Sequence, residues 1–258
     1  MDLVVSGTGG RWVARRDGAV VGELVARVRP DGRCFLFPGD GPPAAFGALL
    51  DAALGELGDR DVHLEAAPTD ELAARGFVVH RREHLYRLPI GAERPVTPPA
   101  GYAFVSAADA DLDRLRVLDE RLRGHVPGVS GWRNEPAAFA RETFQDPEFE
   151  ASTYPVAVCA ATGDYAGLAR VWVRRDGRPP RLGLVGVRPA HRRRGLARAL
   201  LARAFAPLRA RGVGEVVTEV DETNTASRAL MAGFGARRTG TAVELRRAGR
   251  TGEAGATG

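Results

Sequence analysis

Short apolar runs broken by Asp-Gly turns fill the first part of the chain. Within residues 11–37 they predict a three-strand meander, turning at Arg16-Asp17-Gly18 and at Pro30-Asp31-Gly32. The spacing then becomes helical. Phe46, Leu49, Leu50, Ala53, Leu54 and Leu57 share one face of a helix over residues 44–57. A strand follows from Val62. Thr69 is placed to cap a short helix that stops at Gly76, and residues 77–88 return as strand.

A second series starts at Tyr102. A strand leads to a helix carrying Leu112, Leu115, Leu118 and Leu122, with Ser106 or Asp109 as its cap, then a loop over residues 124–131 and a helix over 136–144 with Phe139 inward. Strands are expected at 155–160, 167–173 and 182–187. Leu196, Leu200, Leu201, Phe205 and Leu208 define a long amphipathic helix, ended by Gly212. A strand over 215–220 and a helix opened by Asn224 complete the series. The segment Glu71-Leu-Ala-Ala-Arg-Gly-Phe77 has a faint echo in Leu230-Met-Ala-Gly-Phe-Gly-Ala236, each followed by a strand. The prolines at 89, 95, 98 and 99 mark a linker. These features divide the chain into residues 1–90, a linker over 91–100, a second domain over 101–248 and a disordered tail over 249–258.

Composition narrows the class. The formal charge is +5, yet there is no lysine; all 37 cations are arginine, and acidic residues are spread between them. No long single-sign tract and no aromatic-interleaved basic pattern appears, so nucleic acid is not an expected partner. No apolar run approaches the ~20 residues of a membrane span. Residues 1–7 lack the basic start and apolar core of a signal peptide, and a cytoplasmic protein is expected. Cys34 and Cys159 have no metal-ligand spacing, so buried thiols and no metal are expected.

The chemistry concentrates at one stretch. The uncharged strand 182–187 is stopped by Pro189, and Arg192-Arg193-Arg194-Gly195-Leu196-Ala197 turns into the long helix. A glycine-containing turn at a helix N-terminus is an anion site: free N–H groups point outward, and the helix dipole is positive there. The pattern Val187-x-Pro189-x-x-Arg192-x-x-Gly195-x-Ala197 resembles the Arg/Gln-x-x-Gly-x-Gly/Ala signature of GCN5-related N-acetyltransferases (GNAT). Asn224-Thr-Ala-Ser227-Arg228-Ala-Leu230-Met231-x-x-x-Gly235 is similar to a second segment of that family.

The resemblance implies an α+β fold of two GNAT-like domains. Each would be a mixed, mostly antiparallel twisted sheet flanked by helices, with the N-terminal copy truncated and degenerate. Where the second copy has the arginine turn, the first has Pro38-Gly-Asp-Gly-Pro-Pro43, whose prolines lack N–H groups; that copy is expected to hold no cofactor. It also implies acetyl-CoA as acyl donor, bound at Val185, Gly186, Val187, Arg192, Arg193, Arg194, Gly195, Leu196, Ala197, Asn224, Ser227 and Arg228. Asn224 is at the same time a good helix cap, and Arg228 reads equally as a solvated arginine. The implied reaction is direct attack by the amine of a small molecule, without a covalent enzyme intermediate. A backbone N–H near Val185 or Val187 would polarise the thioester oxygen.

Two departures stand out. Many members carry a tyrosine acid where this chain has Met231, and often a glutamate base on the strand 182–187, which has none. Glu219 on the neighbouring strand is the nearest substitute, against a paired structural carboxylate. Asp119 as partner of an ammonium, His125 as a proton acceptor, and Trp132 and Trp172 as walls are candidates for the acceptor pocket, each set against a structural role: a surface ion pair, a loop histidine or core aromatics. The tandem order, with Trp132, Phe139, Phe144 and Phe149, is distantly similar to mycothiol synthase-type proteins. A catalytically silent acyl-CoA sensor is the alternative.

Overall fold

The computed structural model describes residues 3–91, 97–129 and 131–249. The chain forms two compact units, Met1–Arg82 with Ala242–Gly258, and Glu83–Thr241.

In the first unit, strands β1 (Leu3–Thr8), β2 (Arg11–Arg16), β3 (Ala19–Val28) and β4 (Cys34–Pro38) run antiparallel in sequence order. Helix α1 (Pro43–Leu57) crosses to β5 (Val62–Glu65), which lies parallel to β4. The short helix α2 (Asp70–Ala74) follows, its first turn capped by Thr69, whose Oγ1 accepts from Leu72 N–H at 3.2 Å. Both helices contribute to one core with Trp12, Leu24, Leu36, Leu49, Leu50, Leu64 and Leu72. Trp12 is fully buried and donates Nε1–H to Glu56 at 2.9 Å. The sequence pattern leaves β1 out of the meander. It is a largely exposed edge strand, so its side chains carry little core-facing periodicity.

In the second unit, β7 (Tyr102–Ser106), β8 (Pro155–Cys159), β9 (Tyr165–Trp172) and β10 (Arg181–Val187) are antiparallel neighbours in that order. Between β7 and β8 run α3 (Leu112–Arg123) and α4 (Pro136–Phe144). The cap of α3 is Asp111, whose Oδ1 accepts from Arg114 N–H at 2.9 Å. Neither expected cap serves that helix. Ser106 closes a single 3-10 turn, Ala107–Asp109, and the extended backbone of Ala110 separates that turn from α3. Helix α5 (Leu196–Ala210) leads to β11 (Glu215–Asp221), which starts parallel to β10. Helix α6 (Thr225–Gly233) is capped by Asn224, whose Oδ1 accepts from Ser227 N–H at 3.0 Å. Leu200, Leu201, Phe205 and Met231 pack on one face of this sheet, and Leu115, Leu118, Leu122 and Phe139 on the other.

The two units share one pairing scheme. Three antiparallel contacts are followed by one parallel contact around a crossover helix, then one more antiparallel contact. The sixth strand is where the expected boundaries at residues 90 and 101 differ from the compact units. Strand β6 (Val78–Pro89) pairs with β11 from Glu215↔Pro89 to Asp221↔Glu83 in the second unit. Strand β12 (Arg237–Arg247) pairs with β5 from Glu244↔Glu65 to Arg247↔Val62 in the first. Contacts therefore divide the chain inside these two strands, because each copy's last strand completes the other unit's sheet. The first copy is also truncated: β1 turns into β2 at Gly9 and Gly10, where the second copy inserts α3 and α4. Linker residues 92–96 and tail residues 250–258 lie outside the described residues.

Candidate active site

Strands β10 and β11 part almost as soon as they meet. Arg181↔Val217 is their one register pair, with Val217 N–H donating to Pro180 O at 2.9 Å and Thr218 Oγ1 donating to Leu182 O at 2.9 Å. In the first unit the equivalent parallel pair, β4 and β5, stays together over Cys34↔Val62, Phe35↔His63 and Leu36↔Leu64. A slot thus opens between the strands in one copy and is zipped shut in the other.

The backbone lining the slot follows from register. Arg188 N–H donates to Ala166 O at 2.8 Å. Hydrogen-bonded pairs alternate along an antiparallel ladder, so Gly186 and Leu184 also bond towards β9, and the peptide groups of Val185 and Val187 point to the β11 side. Val187 O accordingly accepts from Arg192 Nε at 3.0 Å. Close approach is built in by glycine: a Cβ on Gly167 would lie 2.5 Å from Gly186 O.

Beyond Val187 the chain makes a 3-10 turn, Pro189–His191, and enters α5 through two left-handed residues, Arg193 (φ 62°) and Gly195 (φ 78°). Gly195 is the N-cap and supplies no side chain, so the first amides of α5 have no side-chain acceptor. Left-handed residues alternating with others turn successive N–H groups into one concavity, and the helix dipole adds positive potential. The three arginines divide their work. Arg192 is tied to Val187 O, and Arg194 donates to Tyr102 Oη at 3.2 Å, which also bonds His191 Nδ1 at 3.0 Å. Arg193 is exposed. A phosphate-bearing ligand fits this cradle. In the first unit α1 opens instead with Pro42 and Pro43, and the Ala45 and Phe46 amides already bond Pro42 O.

On α6, Asn224 Oδ1 and Ser227 N–H are spent on each other, and Arg228 donates to Glu222 O at 3.0 Å. Met231 is fully buried in the apolar core, so no proton donor stands at that position.

The opposite face of the sheet, below α3, carries the acceptor candidates. Asp119 lies on α3, and its side chain is 1 % exposed. Arg123 Nε donates to Asp119 Oδ1 at 2.7 Å, Asn134 Nδ2 donates to the same oxygen at 3.0 Å, and Arg170 Nη1 lies 3.7 Å from Oδ2. Burial pushes the Asp119 carboxyl pKa up, but the two guanidiniums and the Asn134 amide outweigh it and leave the carboxyl below its ordinary value. Asp119 is therefore engaged by arginine, the structural alternative to its pairing with an ammonium. Trp132 and Trp172 join the same group: Arg123 stacks on Trp132 at 4.3 Å, and Arg170 on Trp172 at 4.7 Å. Fully buried Tyr154 flanks Arg170 at 5.8 Å; burial raises its hydroxyl pKa far above the ordinary value. His125 is exposed in the loop after α3, and among the described residues its ring has no bond. Ser130, at the end of that loop, lies outside the described residues.

Glu219 sits on β11, on the face opposite the α5 core. Arg181 clamps it, with Nε at 2.9 Å and Nη2 at 2.8 Å from Oε2. The pair is about one-third exposed (37 % and 27 %), so it is solvent-screened. Sequence reasoning misses Arg123, Arg170, Tyr154 and Arg181. For Arg170 a signal exists, a single cation inside the apolar run 167–173. Away from this unit, His63, His80 and Glu244 bring ligand atoms within 4.8 Å of one another. Arg33 and Arg81 close on the same carboxylate, which opposes a cation there.

A parallel strand pair that parts beside a glycine-capped helix N-terminus is an arrangement open to an extended, phosphate-bearing ligand. The profile of the Acetyltransferase (GNAT) family matches residues 126–236. A mycothiol acetyltransferase of Clavibacter michiganensis subsp. michiganensis is 31 % identical over 268 residues, covering 95 % of this chain and 80 % of that protein. One from Thermobispora bispora is 29 % identical over 232 residues, covering 84 % and 76 %. A tandem GNAT protein from the clavulanic acid biosynthesis pathway superposes with a TM-score of 0.66 at 20 % identity, covering 92 % of this chain and 81 % of that one. The chain belongs to the GNAT acetyltransferase family, whose acyl donor is acetyl-CoA, and it is an acetyltransferase.

Proposed function

We propose that the second unit binds acetyl-CoA between β10 and β11 and transfers the acetyl group to the amine of a small molecule entering from the α3 face. The observation that supports this most is the single register pair between β10 and β11 above the uncapped start of α5. The amides of Leu196 and Ala197, the Gly195 turn and the Arg193 guanidinium would hold the diphosphate. Arg192 and Arg194 set the loop's shape. The peptide groups of Val185 and the Val187 N–H face the slot and are free to pair with the extended pantetheine arm as a sheet edge pairs with a peptide, while Val187 O is held by Arg192. Asn224, Ser227 and Arg228 flank it from α6.

Acetyl-CoA supplies the activated acyl group; the protein supplies alignment and proton handling. Val185 N–H is oriented to stabilise charge on the acyl oxygen. Glu219, steadied by Arg181, takes the proton of the attacking amine directly or through a water. The N–C bond forms as the C–S bond breaks, and CoA leaves as thiolate, protonated by water because Met231 has no proton to give. The first unit, with its zipped strands and proline-opened helix, holds no donor.

Free-thiol release from acetyl-CoA across a panel of amines tests the reading. Release above the hydrolysis background is expected for at least one amine. Glu219→Gln should lower kcat on that amine by about 10²-fold at neutral pH, with acetyl-CoA affinity preserved. Unchanged turnover in that variant at every pH removes Glu219 as the base, and release never exceeding hydrolysis removes the amine reading.

A further inference from the structure

The group beneath α3 is built around an imbalance of charge. Arg123 and Arg170 share one carboxylate, Asp119, so two cations and one anion occupy a region walled by Trp132, Trp172 and Tyr154. Three polar atoms there are buried without a hydrogen-bond partner among the described residues: Arg170 Nε, Asp119 Oδ2 and Tyr154 Oη. Arg170 keeps an ion pair with Asp119 through Nη1, but burying its Nε–H without an acceptor is costly, and an acceptor brought by a ligand relieves that cost. Nine-tenths of the Arg170 side chain is buried, yet the remaining 10 %, with 17 % of Arg123, keeps the group reachable from solvent.

Its position is equally informative. Arg170 pairs in register with Leu184, one residue from Val185, whose N–H faces the slot. It lies on the same face of the sheet as Leu184 and the α3 core, opposite to α5. An acceptor amine presented to the slot from this face has Arg170 one strand away. The flat guanidinium fork matches a carboxylate in two parallel bonds, and its stacking on Trp172 holds the fork in one plane.

Resting on the proposed transfer reaction, we infer that Arg170 is a specificity-determining residue that pairs with a carboxylate on the acceptor, so that the substrate is of the amino-acid class, carrying a carboxylate a few bonds from its amine. Asp119 and Arg123 are positioning residues: Asp119 orients Arg170, and Arg123 keeps Asp119 ionised. The excess positive charge is satisfied when the acceptor arrives, and a neutral or purely cationic amine leaves it uncompensated.

The test compares L-amino acids with the matching L-amino acid amides as acceptors, with acetyl-CoA and thiol release as readout. The acids should exceed their amides by about tenfold or more in kcat/KM. Arg170→Met should bring that ratio close to one while acetyl-CoA affinity stays as in the parent. Arg170→Lys, which keeps the charge but loses the fork, should give an intermediate ratio and serves if the Met variant does not fold. Equal use of acids and amides, or a ratio that survives both substitutions, overturns the inference while leaving the transfer reaction standing. If no member of the panel turns over, N-acetyl-L-amino acids and their amides are titrated into the CoA-saturated protein by tryptophan fluorescence. Saturation by the acids alone supports the inference, and its absence overturns it. A separate acetyl-CoA titration shows whether the donor site itself has failed.

Discussion

Asp119 shows how one residue sets the character of a site. Its carboxylate neutralises one of two buried guanidiniums, so Asp119→Asn leaves both without a full counter-charge. Breaking such a pair from one side costs about 3–5 kcal/mol, and a urea midpoint well below that of the parent is expected. The pH dependence has a definite sign. The carboxyl pKa is lowered in the fold, so its stabilising contribution is complete above the unfolded value of about 3.9 and is lost as pH falls through the folded value. Asp119→Asn should therefore flatten the loss of stability below about pH 4 relative to the parent. A parent-like acid limb in the variant would contradict the pairing.

What is legible at this scale depends on how local the signal is. The Thr69 and Asn224 caps are readable because a cap needs only its own next three residues. Arg170, the second arginine on Asp119 beside its i+4 neighbour Arg123, is not, since it is 51 positions away and meets Asp119 only through the sheet. Glu219 is readable as a carboxylate beside the slot, but its clamp, Arg181, depends on how β10 and β11 meet.

Elements carry the slot. The β9–β10 pair is tight because Gly167 faces the Gly186 carbonyl with no Cβ between them. Gly167→Ala would place a methyl 2.5 Å from that backbone oxygen, where no side chain can yield. A destabilisation of about 1–3 kcal/mol is expected, read as a lower denaturant midpoint with an unchanged slope; an unchanged midpoint would mean the strands are not held at this spacing. The splay of β10 from β11 has no such local code. The sequence pattern places both strands within a residue or two, because each buries one face, but strand separation is a property of the pair. The edge strand β1 escapes the pattern for the converse reason, having no fully buried face to impose a period.

At the scale of the molecule, each copy's sheet is completed by a strand from the other. Proline and glycine punctuation locates the linker, and element order locates the duplication. Neither signal shows that β6 ends beside β11, because that pairing joins residues more than 120 positions apart. The consequence is testable. A fragment that starts at residue 91 lacks β6 and exposes β11 as an unpaired edge beside the proposed donor slot. It should aggregate and fail to bind acetyl-CoA, and co-expression with residues 1–90 should restore a soluble, binding-competent protein. A fragment 91–258 that binds acetyl-CoA as the whole chain does would contradict the strand exchange.

The central claim is that one of two similar units holds the donor, at the splayed strands and the start of α5. Amide hydrogen exchange of the whole protein with and without acetyl-CoA tests it most directly, because it reads both units in one experiment. Added protection is expected over residues 185–199, with a smaller increase over 224–228, and none over 38–46 at the proline-opened start of α1. Protection at 38–46, or none at 185–199 under saturating acetyl-CoA, would contradict the account.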